Sequence, residues 1–294
     1  LIYLHEENQM TRIVYLNGEY VPADEAKVSI FDRGLLFADG IYEVCGVLDG
    51  KLVDFEGHVR RLERSLGEID QPMPLTGEQI AEAMHTLTER NNLVEGMIYM
   101  QVNRGTAERD FTYNNDDLTQ TVFMFHQVKD LEETKASKVG ASMISVPDIR
   151  WKRRDIKSVA LLPQVLAKQA AKQAGAAEAL MVMDDGTVSE GGSSSFYYIK
   201  NDTIVTRPLS KDILPGITRQ ALLDLAEREN LAIDERTFTL AEALEADEAF
   251  ITAASTMVCP IVEIDGLRIG GGQPGPMTIA LRKIYFENAR KTLV

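Results

Sequence analysis

Four dipeptides constrain the fold before any composition is considered. Asn17-Gly18, Asp49-Gly50, Asp185-Gly186 and Asn201-Asp202 each lie between short apolar or alternating runs. Such pairs accept the left-handed backbone of a tight hairpin turn, so the flanking runs are expected to be antiparallel strands. "EGMIYMQVNRG", "TQTVFMFHQV", "VGASMISVP" and "EAFITAAS" read as further strands. Lys157 stands where another apolar strand, Val-Ala-Leu-Leu, is expected to begin.

Helical patterns alternate with these strands. "FEGHVRRLERSLGEI" places Val59, Leu62, Leu66 and Ile69 on one face, and "TGEQIAEAMHTLTERNN" opens on a threonine cap. "LPQVLAKQAAKQAG" closes at Gly175, while "GITRQALLDLAEREN" and "MTIALRKIYFENARKTL" are two more helices. "GGGQPGP" (270–276) reads as a loop, and the class is α+β. The charged, aperiodic "KDLEETKAS" (129–137) is expected to link an N-terminal unit, 10–128, to a C-terminal one, 138–294. Met10 is the expected natural start.

Composition excludes several function classes. A net charge of −14 opposes nucleic acid and anionic membrane, and the one basic run, "WKRRDIK", is interrupted by Asp155. The four histidines are scattered without metal-ligand spacing, so no metal is expected. Cys45 and Cys259 form no CxxC pair, which suits a reducing cytoplasm. No apolar window is long enough to span a membrane, and "LIYLHEENQ" lacks the basic start of a signal peptide.

Five features can carry chemistry. Lys157 is either an edge-strand lysine with its head in water or an amine that forms a Schiff base, and its local sequence favours the first. Glu190 is either a solvated hairpin carboxylate or a group that holds a proton on a heterocyclic nitrogen. Five small residues follow it, as a flat ring near the backbone or a flexible loop would need. "LPGITR" (214–219) starts a helix at Gly216, Ile217 and Thr218, where amides can hold an anion or Thr218 can simply cap. "TAAST" (252–256) is a hydroxyl-rich turn able to wrap phosphate. Arg60 or Arg61 can clamp a phosphate or face solvent. One ligand uses all five in their chain order, from the helical arginine through the lysine, the glutamate and Gly-Ile-Thr to the hydroxyl turn: an aldehyde for the lysine, a ring nitrogen for the glutamate, and a phosphate for the rest. Pyridoxal 5′-phosphate has those handles.

The chain resembles the fold-type IV pyridoxal-phosphate enzymes, most closely the D-amino acid aminotransferases, from about Met10 to Leu293. The resemblance rests on "FDRGLLFADGIYEV", "HVRRLERS", "IYMQVNRGTAERDF", "DIRWKRRDIKSVALLPQVLAKQAA", "VSEGGSSSF", "LPGITR" and "PIVEIDG". It implies a two-domain fold with a small N-terminal α/β domain and a larger C-terminal pseudo-barrel domain. It implies Lys157 as the Schiff-base lysine and proton shuttle, and Glu190 as the partner of the pyridine nitrogen. Arg61, by its spacing from His58, becomes the phosphate arginine. Gly216, Ile217 and Thr218 form the phosphate cup, Leu214 packs on the ring, and Tyr42 and Tyr99 line the site.

Arg109 matches the arginine that holds the substrate carboxylate, but Phe111 stands where those enzymes have histidine, and Gly46 where lysine is frequent. Ala254 stands at the phosphate-turn threonine, leaving the role to Ser255 or Thr256. The resemblance implies transfer from a D-alanine-like donor to a 2-oxo acid by a cytoplasmic homodimer. Phe111 and Gly46 prompt a second reading, (R)-selective amine transamination. An aminodeoxychorismate lyase ranks below both, because Tyr42-Glu43-Val44 suits a D-amino acid enzyme better, and a branched-chain aminotransferase is a further alternative.

Overall fold

A computed structural model describes residues 11–294. The expected start at Met10 lies outside them. The chain divides into two compact units, one ending at Lys129 and also taking Val294, the other Asp130–Leu293.

The described residues of the first unit form strands β1 (Ile13–Leu16), β2 (Glu19–Pro22), β3 (Gly40–Leu48), β4 (Lys51–Leu52), β5 (Gly96–Asn103) and β6 (Thr121–Val128). Their helices are α1 (Arg33–Phe37), α2 (Phe55–Gly67) and α3 (Gly77–Arg90). The sheet runs β2-β1-β6-β5-β3-β4 and is antiparallel throughout. Alternation sorts its faces as a period of two requires. Ile41, Glu43, Cys45 and Val47 are buried, and α2 packs against β3 on that side. The opposite face carries Tyr42, Tyr99, Phe123 and Phe125, the other three rings stacking around Tyr99.

The second unit contains β7 (Ala141–Pro147), β8 (Glu178–Val182), β9 (Val188–Gly191), β10 (Ser195–Lys200), β11 (Thr203–Thr206), β12 (Ala232–Glu235), β13 (Glu248–Ala253), β14 (Met257–Ile264) and β15 (Leu267–Arg268). Its helices are α4 (Lys135–Val139), α5 (Leu162–Gln173), α6 (Ile217–Arg228), α7 (Leu240–Leu244) and α8 (Pro276–Ala289). The sheet order is β12-β11-β10-β13-β14-β7-β8-β9, with β15 on β14. β7 pairs in parallel with β8 and with β14, and β11 with β12. Parallel neighbours need a crossover, and α5 supplies it between β7 and β8 and α6 between β11 and β12. Leu180, Val188, Phe196, Ile251, Ile261 and Phe238 form the main core, and Ala167 and Ala171 of α5 pack on Ala179 and Met181 of β8.

Three hairpins turn where the dipeptides place them. Leu16 pairs Glu19, Leu48 pairs Lys51 and Lys200 pairs Thr203, with Asn17, Asp49 and Asn201 all at positive φ. The fourth is wider: Met183 and Thr187 close it by a backbone bond, and a register shift follows in β8.

Two expectations are corrected. Lys157 begins no strand. Residues 148–161 are irregular, because their arginines and aspartates tie the backbone into turns, and Ile156 bonds back to Arg153. The apolar run that suggested a strand is largely at the surface, with Leu162 68% exposed at the start of α5. The segment 129–137 is not uniformly irregular either. It buries Leu131, and Thr134 caps the single-turn helix α4, too short for its periodicity to register. Among the described residues, no helix is long and apolar enough to cross a membrane.

Candidate active site

In the second unit the chemistry gathers around Glu190. Strand β9 is buried along its length, and Glu190 is 5% exposed. Arg150 Nη1 donates to its Oε1, and the Leu214 amide lies 3.2 and 3.3 Å from its two oxygens. Arg150 is gripped from behind by Asp148, through Nε at 2.9 Å and Nη2 at 2.7 Å. Ser189 Oγ donates to Asp148 at 2.7 Å, and Arg154 pairs with it at 3.0 Å.

Burial pushes the Glu190 carboxyl above its ordinary value, with the Arg150 charge and the Leu214 amide pulling against it. Burial acts the same way on Asp148, but Arg150 and Ser189 prevail and hold it at about 2. The two carboxylates outweigh burial and keep Arg150 firmly cationic.

The small-residue run after Glu190 is pinned. Buried Glu178 accepts from Ser193 Oγ at 3.1 Å and Ser194 Oγ at 3.3 Å, and pairs with Lys168 at 3.0 Å. A Cβ on Gly192 would lie 2.9 Å from Glu178 Oε1, so the backbone can approach this closely only as glycine. These bonds pin the run as close-packed backbone rather than leaving it a flexible loop.

Helix α6 begins at Gly216 with no side-chain cap among the described residues. Its first amides have no intrahelical partner. Ile217 and Thr218 open it as expected, Thr218 being 4% exposed. A Cβ on Gly216 would sit 2.8 Å from Ser195 Oγ. Ser195 pairs with Thr252 across β10 and β13, which brings the helix start near the turn Ala254–Thr256 that follows β13. In that turn Thr256 Oγ1 is buried with no hydrogen-bond partner among the described residues, while Ser255 is half-buried. An uncapped helix N-terminus and an unsatisfied buried hydroxyl at the same sheet end suit an anion. Lys157 is half-buried in the segment that also carries Arg150.

In the first unit, α2 turns Arg61 inward (7% exposed) and leaves Arg60 exposed. Arg61 donates to Glu43 through Nε at 2.8 Å and Nη2 at 2.7 Å, and His58 Nδ1 lies 2.8 Å from the same carboxylate. Burial opposes ionisation of Glu43, but Arg61 and His58 hold its carboxyl far below the usual range. Tyr42 and Tyr99 stack at 5.4 Å, and Tyr99 Oη donates to Gln101 at 2.7 Å. Arg109 and Phe111 stand on the exposed loop between β5 and β6, with the Arg109 guanidinium 5.3 Å from the Phe37 ring and 5.5 Å from that of Phe111.

The sequence did not single out Glu43, Asp148, Arg150 or Glu178. Arg150 stood in the sequence only within the longer motif "DIRWKRRDIKSVALLPQVLAKQAA", one residue ahead of the basic run. In the fold Arg150 and Arg154 meet Asp148, Arg153 meets Asp155, and Arg154 also meets Asp212.

The chain is similar to known proteins over most of its length. The model of the amino-transferase class IV family matches residues 40–264. The D-alanine aminotransferase of Staphylococcus haemolyticus is 38% identical over 270 residues, covering 92% of this chain and 95% of the relative. That of Bacillus licheniformis is 38% identical over 284 residues, covering 95% and 99%. A Staphylococcus epidermidis counterpart reaches 40% over 270 residues, with coverages of 92% and 95%. Among solved structures, the branched-chain amino acid aminotransferase of Escherichia coli superposes with a TM-score of 0.86 at 21% identity, covering 95% of each chain, a likeness of fold alone. One from Thermobaculum terrenum has a TM-score of 0.83 at 26% identity, covering 97% of each.

Proposed function

The chain belongs to the class IV amino-transferase family and is a pyridoxal-phosphate-dependent aminotransferase, and on that premise we propose that it passes the amino group of a D-alanine-like D-amino acid to a 2-oxo acid such as 2-oxoglutarate or pyruvate. The observation that carries this reading is 38–40% identity to D-alanine aminotransferases over 92% of the chain.

The residues present fit the cofactor. The Ile217 and Thr218 amides, left open by Gly216, and the unsatisfied Thr256 hydroxyl, with Ser255 beside it, suit its phosphate. Arg61, braced by Glu43 and His58, is the arginine proposed for the same group. When bound, pyridoxal phosphate supplies the carbonyl that exchanges with amino groups and a ring that takes up charge from the substrate's Cα. Glu190 would hold a proton on the ring nitrogen, and Leu214, whose amide is anchored on that carboxylate, would pack on the ring. Lys157 takes the Cα proton as base and returns it as acid. Tyr42 and Tyr99 bound the substrate, and Arg109 meets its carboxylate through charge-assisted donors.

Holoenzyme mixed with D-alanine and 2-oxoglutarate should release pyruvate, whereas L-alanine and L-leucine should not react. Turnover of L-leucine in place of D-alanine would overturn the reading. Phe111, 76% exposed where the D-amino acid enzymes have a histidine, favours a second activity toward (R)-configured amines. No reaction with (R)-1-phenylethylamine removes it.

The assembly proposed is a homodimer. Ile149, Trp151, Leu162, Val165 and Leu166 leave an apolar surface 46–68% exposed on the second unit, the kind of surface a subunit contact covers. Cys45 and Cys259 are buried thiols in no disulfide among the described residues, which supports a reducing compartment, the cytoplasm.

A further inference from the structure

Residues 104–120 join β5 to β6 with only a single 3-10 turn, Asn115–Asp117, as regular structure among the described residues. A connection this long in a compact unit is either disordered or functional. This one is held by its backbone. Arg33, 3% exposed, donates to the carbonyls of Asp110 at 2.6 Å, Phe111 at 3.3 Å and Thr112 at 3.4 Å. Arg104, 2% exposed, lies 3.7 Å from the centre of the Tyr113 ring and donates to Asn115 Oδ1 at 2.7 Å. Asp39 joins the two guanidiniums, 2.9 Å from the Nε of each.

The arrangement goes beyond chain closure. A guanidinium is a rigid fork that can fix several oxygens at once, which an ammonium cannot. Here it fixes the main chain on both sides of Phe111 while the Phe111 ring stays 76% exposed beside Arg109 and Phe37. The clamped main chain thus leaves the Phe111 ring facing outward, packed against Phe37 and the Arg109 guanidinium.

We propose that Asp39, Arg33 and Arg104 form a clamp that presets the loop so that Arg109 and Phe111 are presented to the substrate. Asp39 and Arg33 are then positioning residues for substrate selection. This rests on the reading that Arg109 meets the substrate carboxylate. A loop fixed in advance loses less conformational freedom when substrate binds, so the clamp acts on affinity more than on the chemical step.

The test uses holoenzyme variants Asp39→Asn, which removes the shared charge, and Arg33→Lys, which keeps the pair with Asp39 but cannot reach three carbonyls. Arg33→Lys also carries the test if Asp39→Asn does not fold. KM for D-alanine should rise about tenfold or more while kcat changes less than about threefold. The cofactor's absorption band and affinity should stay unchanged, and trypsin should cut after Arg109 faster than in the parent. Unchanged cleavage means that no clamp exists. Faster cleavage with unchanged KM means that the clamp does not serve the substrate, and either result overturns the proposal. Arg109→Ala separates the levels. If it raises KM while the clamp variants do not, the clamp alone falls; if it too leaves KM unchanged, the underlying reading falls and takes the clamp with it.

Discussion

A buried carboxylate is informative when its counter-charge is itself buried. Among the described residues Glu190 has Arg150 and a backbone amide to offset its lost hydration, and Arg150 is secured by Asp148. Removing one member of such a cluster leaves the others as uncompensated buried charges. Asp148 gives this a measurable sign. Its carboxyl is depressed from an ordinary 3.8 to about 2, so the folded state binds that proton less readily than the unfolded chain. Its contribution to stability is therefore fully present above about pH 4 and fades as pH falls toward 2, and the shift corresponds to roughly 2 kcal/mol. Glu190, raised by burial, works in the opposite sense and costs stability as pH climbs past the ordinary glutamate value. Urea melts of the parent and Asp148→Asn should differ most above pH 4 and converge toward pH 2. A constant difference across that range would assign the stabilisation elsewhere.

At the scale of elements, the long helices were legible because each carries its own signals. Val59, Leu62 and Leu66 marked α2, although Ile69, expected on the same face, falls two residues beyond its end, and the Thr76 capping box started α3. Helix α8 differs, since its N-terminus has no cap of its own among the described residues. Glu248 of β13 supplies one from across the unit, accepting from the Met277 amide at 3.0 Å, the Thr278 amide at 2.8 Å and Thr278 Oγ1 at 2.7 Å. A negative charge at that end also complements the helix dipole. Glu248→Gln should therefore lower stability by about 1 kcal/mol, read as a fall in thermal midpoint of a few degrees, with the cofactor spectrum preserved. Thr239 and Glu242, by contrast, cap α7 from within its own sequence, yet five residues were too few for that helix to be read.

At the scale of the molecule, the proposed homodimer rests on the exposed apolar residues at and just before α5. If they join two copies, Val165→Glu with Leu166→Asp should turn a dimer into a monomer by light scattering, while the parent keeps twice the chain mass. A parent that is monomeric at working concentration would remove the subunit contact.

By itself, the sequence determined the hairpins, the longer helices and the chain order of an arginine on α2, Lys157, Glu190, Thr218 and a hydroxyl of the 252–256 turn that points to the cofactor. These depend on turn chemistry, periodicity and residue type, all of which act over a few neighbours. Only the tertiary structure decided that Lys157 lies in an irregular segment, that Arg150 reaches Glu190 forty residues on, and that Arg33 reaches the carbonyls around Phe111. Pairings of buried charge are set by which groups lose their water together, and that depends on how distant segments pack rather than on any local pattern.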